Sequence, residues 1–176
     1  ELFAEEMARE KAGKRKYVED CQIDTDLEIL IPSWYVSNIT ERLNLYKELD
    51  DLKDETELQK FAEQLRDRFG PIPEQVDELM NTIRLRWLAS ELGLETIILK
   101  NNLFTGYFVS NPASGYFQSP VFTKVLDYVQ KKPGGTKLKE DKSKLSITFY
   151  HVNDVQNAVK LIVGILEGEN VEMNVK

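Results

Sequence analysis

The repeat of the apolar residues changes at Gly93, and that change limits the architectures open to the chain. Before it, apolar residues recur every three or four positions, as in helices buried along one stripe. After it, short β-branched and aromatic stretches come in pairs, each followed by one more helical stretch. Helices gathered in one half and hairpins in the other argue for α+β: a mainly antiparallel sheet with hairpins, packed against several helices. A parallel sheet would need strand and helix to alternate throughout.

Ahead of the helices, Cys21, Ile23, Thr25, Leu27, Ile29 and Ile31 share one phase of a two-residue alternation. That predicts a strand over 21–31 with one buried face, ended by Pro32. Asn38 and Glu41 form a capping pattern, and Ile39, Leu43, Tyr46 and Leu49 behind it predict one buried helical face. Thr56 and Gln59 offer a second cap before the stripe Leu58, Phe61, Leu65 and Phe69. Gly70 is the expected left-handed stop, Pro71 prevents continuation, and Pro73 suits a first helical residue. Val76, Leu79, Met80, Ile83 and Trp87 line a third helix that Gly93 closes.

In the second half, Thr96–Lys100 and Leu103–Val109 flank Asn101-Asn102, a two-residue hairpin turn. Asn111 to Ser119 reads as a loop, and Ser119-Pro120 opens a helix carrying Val121, Phe122, Val125, Leu126 and Val129. Pro133-Gly134-Gly135 breaks that helix before a second hairpin, Thr136–Glu140 with Leu145–Tyr150. Asn153 and Gln156 cap the last helix, with Val155, Val159, Ile162 and Leu166 as its stripe and Gly168 as its end.

Charge and composition narrow the function. The net charge is −7, and a domain built to grip phosphates is usually basic. One cysteine, Cys21, and one histidine, His151, make neither a disulfide nor a metal cluster, and suit a reducing cytoplasm. No apolar run is long enough to span a membrane. No phosphate-binding glycine loop occurs; Gly134-Gly135 is a helix stop before a strand. A serine-protease-like site would rest on His151, which reads as a surface or structural residue. No catalytic site, cofactor site or metal site is therefore expected in this chain. The lysines at 131, 132, 137, 139, 142 and 144 are either a nucleic-acid patch or a guard against edge-strand pairing; Glu140 and Asp141 interrupt them. Residues 1–16 are charged and helix-prone, either a frayed tail or the end of a preceding domain, and the start at Glu1 is expected to belong to a longer protein.

Glu63-Gln64-Leu65-Arg66-Asp67-Arg68-Phe69-Gly70-Pro71-Ile72-Pro73 is a charged helix end, a glycine stop and a proline-bracketed turn. Phe69 should anchor the turn in the core, with Arg68 at the negative end of the helix dipole. Ile31-Pro32, Tyr35-Val36, Arg42-Leu43, Tyr46-Lys47 and Asp67 to Pro73 follow one another in the order and approximate spacing of the C-terminal domain of bacterial transcription-repair coupling factors. The chain resembles that family from about residue 23 to 130, and over 131–176 mainly in the order of its elements.

The resemblance implies that residues 1–20 are the end of a preceding motor domain and its linker, and that 21–176 are a C-terminal regulatory domain. Pro32, Tyr35, Arg42, Leu43, Tyr46, Lys47, Phe69, Gly70 and Pro73 carry the family pattern. The parent it implies is a cytoplasmic, ATP-driven translocase on duplex DNA, with ATP and Mg in its motor. Such a parent displaces stalled RNA polymerase and recruits nucleotide excision repair. The domain would be an autoinhibitory clamp on the N-terminal repair-helicase-like region of the same polypeptide, masking the surface that binds the excision-repair damage sensor. Glu63, Gln64, Asp67 and Arg68 would be its interdomain contacts; relatives often carry Glu where this chain has Gln64, so Glu63 or Asp67 would substitute for it. The alternative is a nucleic-acid-binding accessory domain using the lysine-rich hairpin 131–144.

Overall fold

The computed structural model describes residues 16–132 and 134–168. The expectations for residues 1–15, for Pro133 and for the tail from 169 onward lie outside the described residues. The described residues divide into two compact units, one spanning 27–85 and the other joining those up to 26 with those from 86 onward.

The first unit is helical. Helix α1 covers Ile39–Asp51, α2 covers Glu55–Phe69, and α3 begins at Glu74 and runs on to Leu92 in the second unit. Asn38 caps α1 through the Glu41 amide, as the capping pattern requires. The cap of α2 is Asp54, not Thr56, because the Asp54 carboxylate reaches the Glu57 amide and α2 starts before Thr56. Pro73 sits just ahead of α3 and its carbonyl accepts from Val76 and Asp77. Leu58, Phe61, Ala62 and Leu65 of α2 are buried at helical spacing. Arg84 makes a two-pronged pair with Glu55 (Nε–Oε1 2.8 Å, Nη2–Oε2 2.9 Å), and that pair holds the Glu55 carboxyl below its usual range against the opposing effect of burial.

The second unit is built on a five-stranded sheet in the order β1-β2-β3-β5-β4. Its strands are β1 (Gln22–Thr25), β2 (Leu94–Lys100), β3 (Leu103–Phe108), β4 (Thr136–Asp141) and β5 (Lys144–Tyr150). All neighbours are antiparallel except β1 and β2. The first strand is shorter than expected: the alternation of exposed and covered residues persists to Ile31, but the ladder ends at Thr25. Alternation reports which side is covered, not whether a neighbouring strand is present.

Both hairpin turns hold two non-glycine residues at positive φ, Asn101-Asn102 (55° and 61°) and Lys142-Ser143 (48° and 67°). Positive φ at both turn residues matches the right-handed twist of the flanking strands. Helices α4 (Pro120–Lys131) and α5 (Val155–Glu167) complete the unit. Ser119 caps α4 as expected, while Asp154 rather than Asn153 caps α5. The stretch 111–119 is not all loop: Gly115–Gln118 form one turn of 3-10 helix. It drives the fully buried Tyr116 between Phe108, Phe117 and Phe122, with ring centroids 5.3–6.1 Å apart. The Tyr116 hydroxyl donates to the Leu92 carbonyl.

Candidate functional site

The residues of the family pattern meet around residues 31–38 of the helical unit. Pro32 fixes a tight turn whose carbonyl accepts from the Tyr35 and Val36 amides. The Tyr35 ring is buried, and its hydroxyl donates to the Gly70 carbonyl at 2.8 Å, with the Leu65 carbonyl 3.3 Å away. Burial raises the Tyr35 pKa and keeps that hydroxyl a donor. Arg42 donates to the Val36 carbonyl at 2.6 Å, and the Ile31 amide donates to the Tyr46 hydroxyl at 2.7 Å. Pro32, Tyr35, Arg42, Tyr46 and Gly70 thus fasten one irregular segment to α1 and to the end of α2.

That fastening leaves large apolar side chains outside. Trp34 is 71% exposed, Ile39 65%, Leu30 61% and Leu43 55%. Ile39 and Leu43 correct the expected buried stripe: α1 buries Leu45 and Leu49 and turns the other two outward. Spacing alone could not choose between these faces, since both carry apolar residues at helical intervals. Lys47, one turn beyond Leu43, is exposed as well.

A run of ring contacts joins this apolar surface to the charged end of α2. Trp34 meets Tyr35 edge-on (centroids 6.1 Å), and Tyr35 meets Phe69 (5.8 Å). The Arg68 guanidinium lies 4.7 Å from the Phe69 ring centre, and Arg68 pairs with Glu41 at 3.5 Å. Phe69 is therefore half-buried, sandwiched between Tyr35 and a guanidinium, not sunk in the core. Glu63, Gln64, Asp67 and Arg68 are all exposed. Arg68 takes Glu41 as its ion-pair partner, across to α1. Trp34 was missed in the sequence because it belongs to no periodic stripe.

Other candidates separate in space. Lys131 and Lys132 stand at the end of α4; Lys137 and Lys139 lie on the edge strand β4, Lys142 in the turn and Lys144 at the start of β5, where Lys139, Lys142 and Lys144 line one depression with Tyr107, Asp141 and Ser146. His151 is exposed, with φ 62°, at the exit from β5. Burial, with help from Asp20 and against Arg86, pushes the Cys21 thiol up to about 12. Among the described residues, no three His, Cys, Asp or Glu side chains are grouped to hold a metal ion, and no helix is long and apolar enough to cross a membrane.

Residues 25–119 match the family model described as the TRCF domain. The transcription-repair-coupling factor of Rickettsia bellii is 29% identical over 68% of this chain and 10% of its own length. That of Escherichia coli K12 is 30% identical over 49% of this chain and 8% of its own, and that of Staphylococcus haemolyticus 24% over 95% and 14%. The chain thus spans about a tenth of the length of these relatives. A crystal structure of the C-terminal domain of a transcription-repair coupling factor superimposes with a TM-score of 0.63 at 16% identity, covering 89% of this chain and 98% of that one.

Proposed function

The chain belongs to the TRCF domain family, and on that premise we propose that it is the C-terminal regulatory domain of a transcription-repair coupling factor, acting as an autoinhibitory clamp. The parent is an ATP- and Mg-dependent translocase on duplex DNA that displaces stalled RNA polymerase and recruits nucleotide excision repair in the cytoplasm. The clamp works by contact with the N-terminal repair-helicase-like region of the same polypeptide, masking the surface that the damage sensor binds. One observation supports this reading above others. Trp34 stands outside on a segment tied down through Tyr35, Arg42 and Tyr46, Ile39 and Leu43 stand outside on α1, and the Tyr35–Phe69–Arg68 contacts continue that surface toward Glu63, Gln64 and Asp67. An apolar surface rimmed by charge, fixed rather than left loose, is pre-organised for a partner.

The test compares Trp34→Ala and Arg68→Ala in the isolated domain and in the full-length parent. Arg68 and Glu41 are half-exposed, so their pair contributes under about 1 kcal/mol and the domain stays folded. In the parent, ATP hydrolysis rises and damage-sensor binding appears. Stable variants that leave both parental activities unchanged refute the clamp. Duplex-DNA binding by the isolated domain that weakens with salt, and with reversal of Lys137 and Lys139, supports the accessory nucleic-acid reading instead.

A further inference from the structure

The sheet unit contains a groove that the clamp reading does not use. It lies between α4 and α5, with a volume of about 530 Å³. From α4 come Lys124, Asp127, Tyr128 and Lys131, at spacings of three, one and three. From α5 come Asn157, Lys160, Leu161, Gly164 and Ile165, again one helical face, at spacings of three, one, three and one, with Gly168 just past its end. Two whole helix faces therefore look into one channel. Residues 157–167 run for ~15 Å at the helical rise, close to the length of three turns of a third helix.

The channel has an apolar floor and a cationic rim. Tyr128 and Leu161 are the partly exposed apolar side chains of the floor, with Gly164 and the fully buried Ile165 beneath. Lys124 ties the helices together by donating to the Leu166 carbonyl at 3.0 Å. Lys131, Lys132 and Lys160 stand along the rim, and His151, held left-handed after β5, is at its mouth. Four lysines face one aspartate in the lining, although the whole chain carries −7.

We infer that the α4–α5 groove docks an acidic amphipathic helix from a protein partner. Channel length and apolar floor match the helix-in-groove mode of recognition, in which apolar residues three and four apart enter the groove. Rim lysines meet carboxylates flanking that stripe and bring local attraction to a protein that otherwise repels acids. A nucleic acid fits less well: the lining holds no arginine, includes Asp127, and offers aliphatic floor where a phosphate backbone needs polar donors. The inference concerns the sheet unit and stands independently of the clamp.

The test uses the full chain and a fluorescein-labelled helical peptide with leucines at positions i, i+3, i+4 and i+7 and glutamates between them. Fluorescence anisotropy should show saturable binding, and the same peptide with lysines in place of glutamates should not bind. Lys131→Glu and Lys160→Glu should each weaken binding about tenfold, while Lys137→Glu and Lys139→Glu on β4 leave it unchanged. Circular dichroism confirms that each variant is folded. Absence of binding, equal binding of the lysine peptide, or equal loss with the β4 reversals overturns the inference. So does a duplex DNA fragment that binds more tightly than the peptide and loses affinity with the same groove reversals.

Discussion

Gly93→Ala is expected to be among the most damaging single-atom-scale changes in the sheet unit. Gly93 ends α3 with φ 101°, where an L side chain is strained. A Cβ there would lie 2.1 Å from Tyr116 Cε1 and 2.3 Å from Cζ. The ring cannot withdraw easily, because Phe108, Phe117 and Phe122 surround it and its hydroxyl holds the Leu92 carbonyl. Backbone strain contributes about 1–3 kcal/mol, overpacking about 1–3, and a broken buried hydrogen bond a similar amount, less a small gain from a stiffer unfolded chain. A net loss of roughly 3–6 kcal/mol is comparable with the whole stability of many domains. For a chain of this size the melting temperature should fall by about 10 °C or more. Thermal denaturation followed by circular dichroism reads it directly. Gly70→Ala is the comparison: φ is 91° but nothing lies within 4 Å of the added Cβ, so only the strain remains. The pair Gly93→Ala and Tyr116→Leu should be strongly non-additive, the smaller side chain relieving the clash. A Gly93→Ala protein no less stable than the Gly70→Ala one, or strict additivity in that cycle, refutes the steric account.

Two further outcomes follow from the helical unit. Tyr35→Phe keeps the ring against Phe69 but leaves the Gly70 carbonyl without its donor, so urea unfolding should show a loss of about 1–3 kcal/mol with little change in the surface. Glu55→Gln should lower stability by less than about 1 kcal/mol at neutral pH, because the carboxyl is about half exposed. The folded-state pKa of Glu55 is depressed, so its contribution is present above the unfolded value of 4.5 and is lost as pH falls through the folded value. The two proteins should therefore converge in urea midpoint in acid, and a gap that persists there refutes the charge-pair origin.

The α+β class, the helices and both hairpins were legible because each rests on local chemistry. Asn101-Asn102 forms its turn at positive φ, Gly70 and Gly93 stop their helices, and Ser119-Pro120 opens α4. Errors arose where tertiary context decides. Leu49 is buried as its stripe requires, but Ile39 and Leu43, which share that spacing, face outward while Leu45 is buried, and only packing makes that choice. The strand over 21–31 shrank to four residues because a ladder needs a partner that no local pattern reveals. Tyr116 hid in a polar, glycine-containing stretch whose single helical turn is too short to show a period. The charged motif at 63–68 was visible, whereas its connection to Trp34 runs through ring contacts between segments distant in the chain.

The parallel pairing of β1 with β2 also bears on the order of folding. Thr25 donates to the Leu99 carbonyl across 74 residues, while every other strand pair in the sheet closes over a shorter span. Joining two ends of an unstructured loop of that length costs about 4 kcal/mol of chain entropy before any ladder bond is made. The β2–β3 turn, by contrast, closes over two residues. Within this sheet β1 is synthesised well before its partner β2, and it waits on β2 being made. Residues 27–85 emerge during that wait, and their early collapse would shorten the tether and bring β1 home faster. Slow addition of β1 to an already formed β2–β3 hairpin is the kinetic signature this topology imposes.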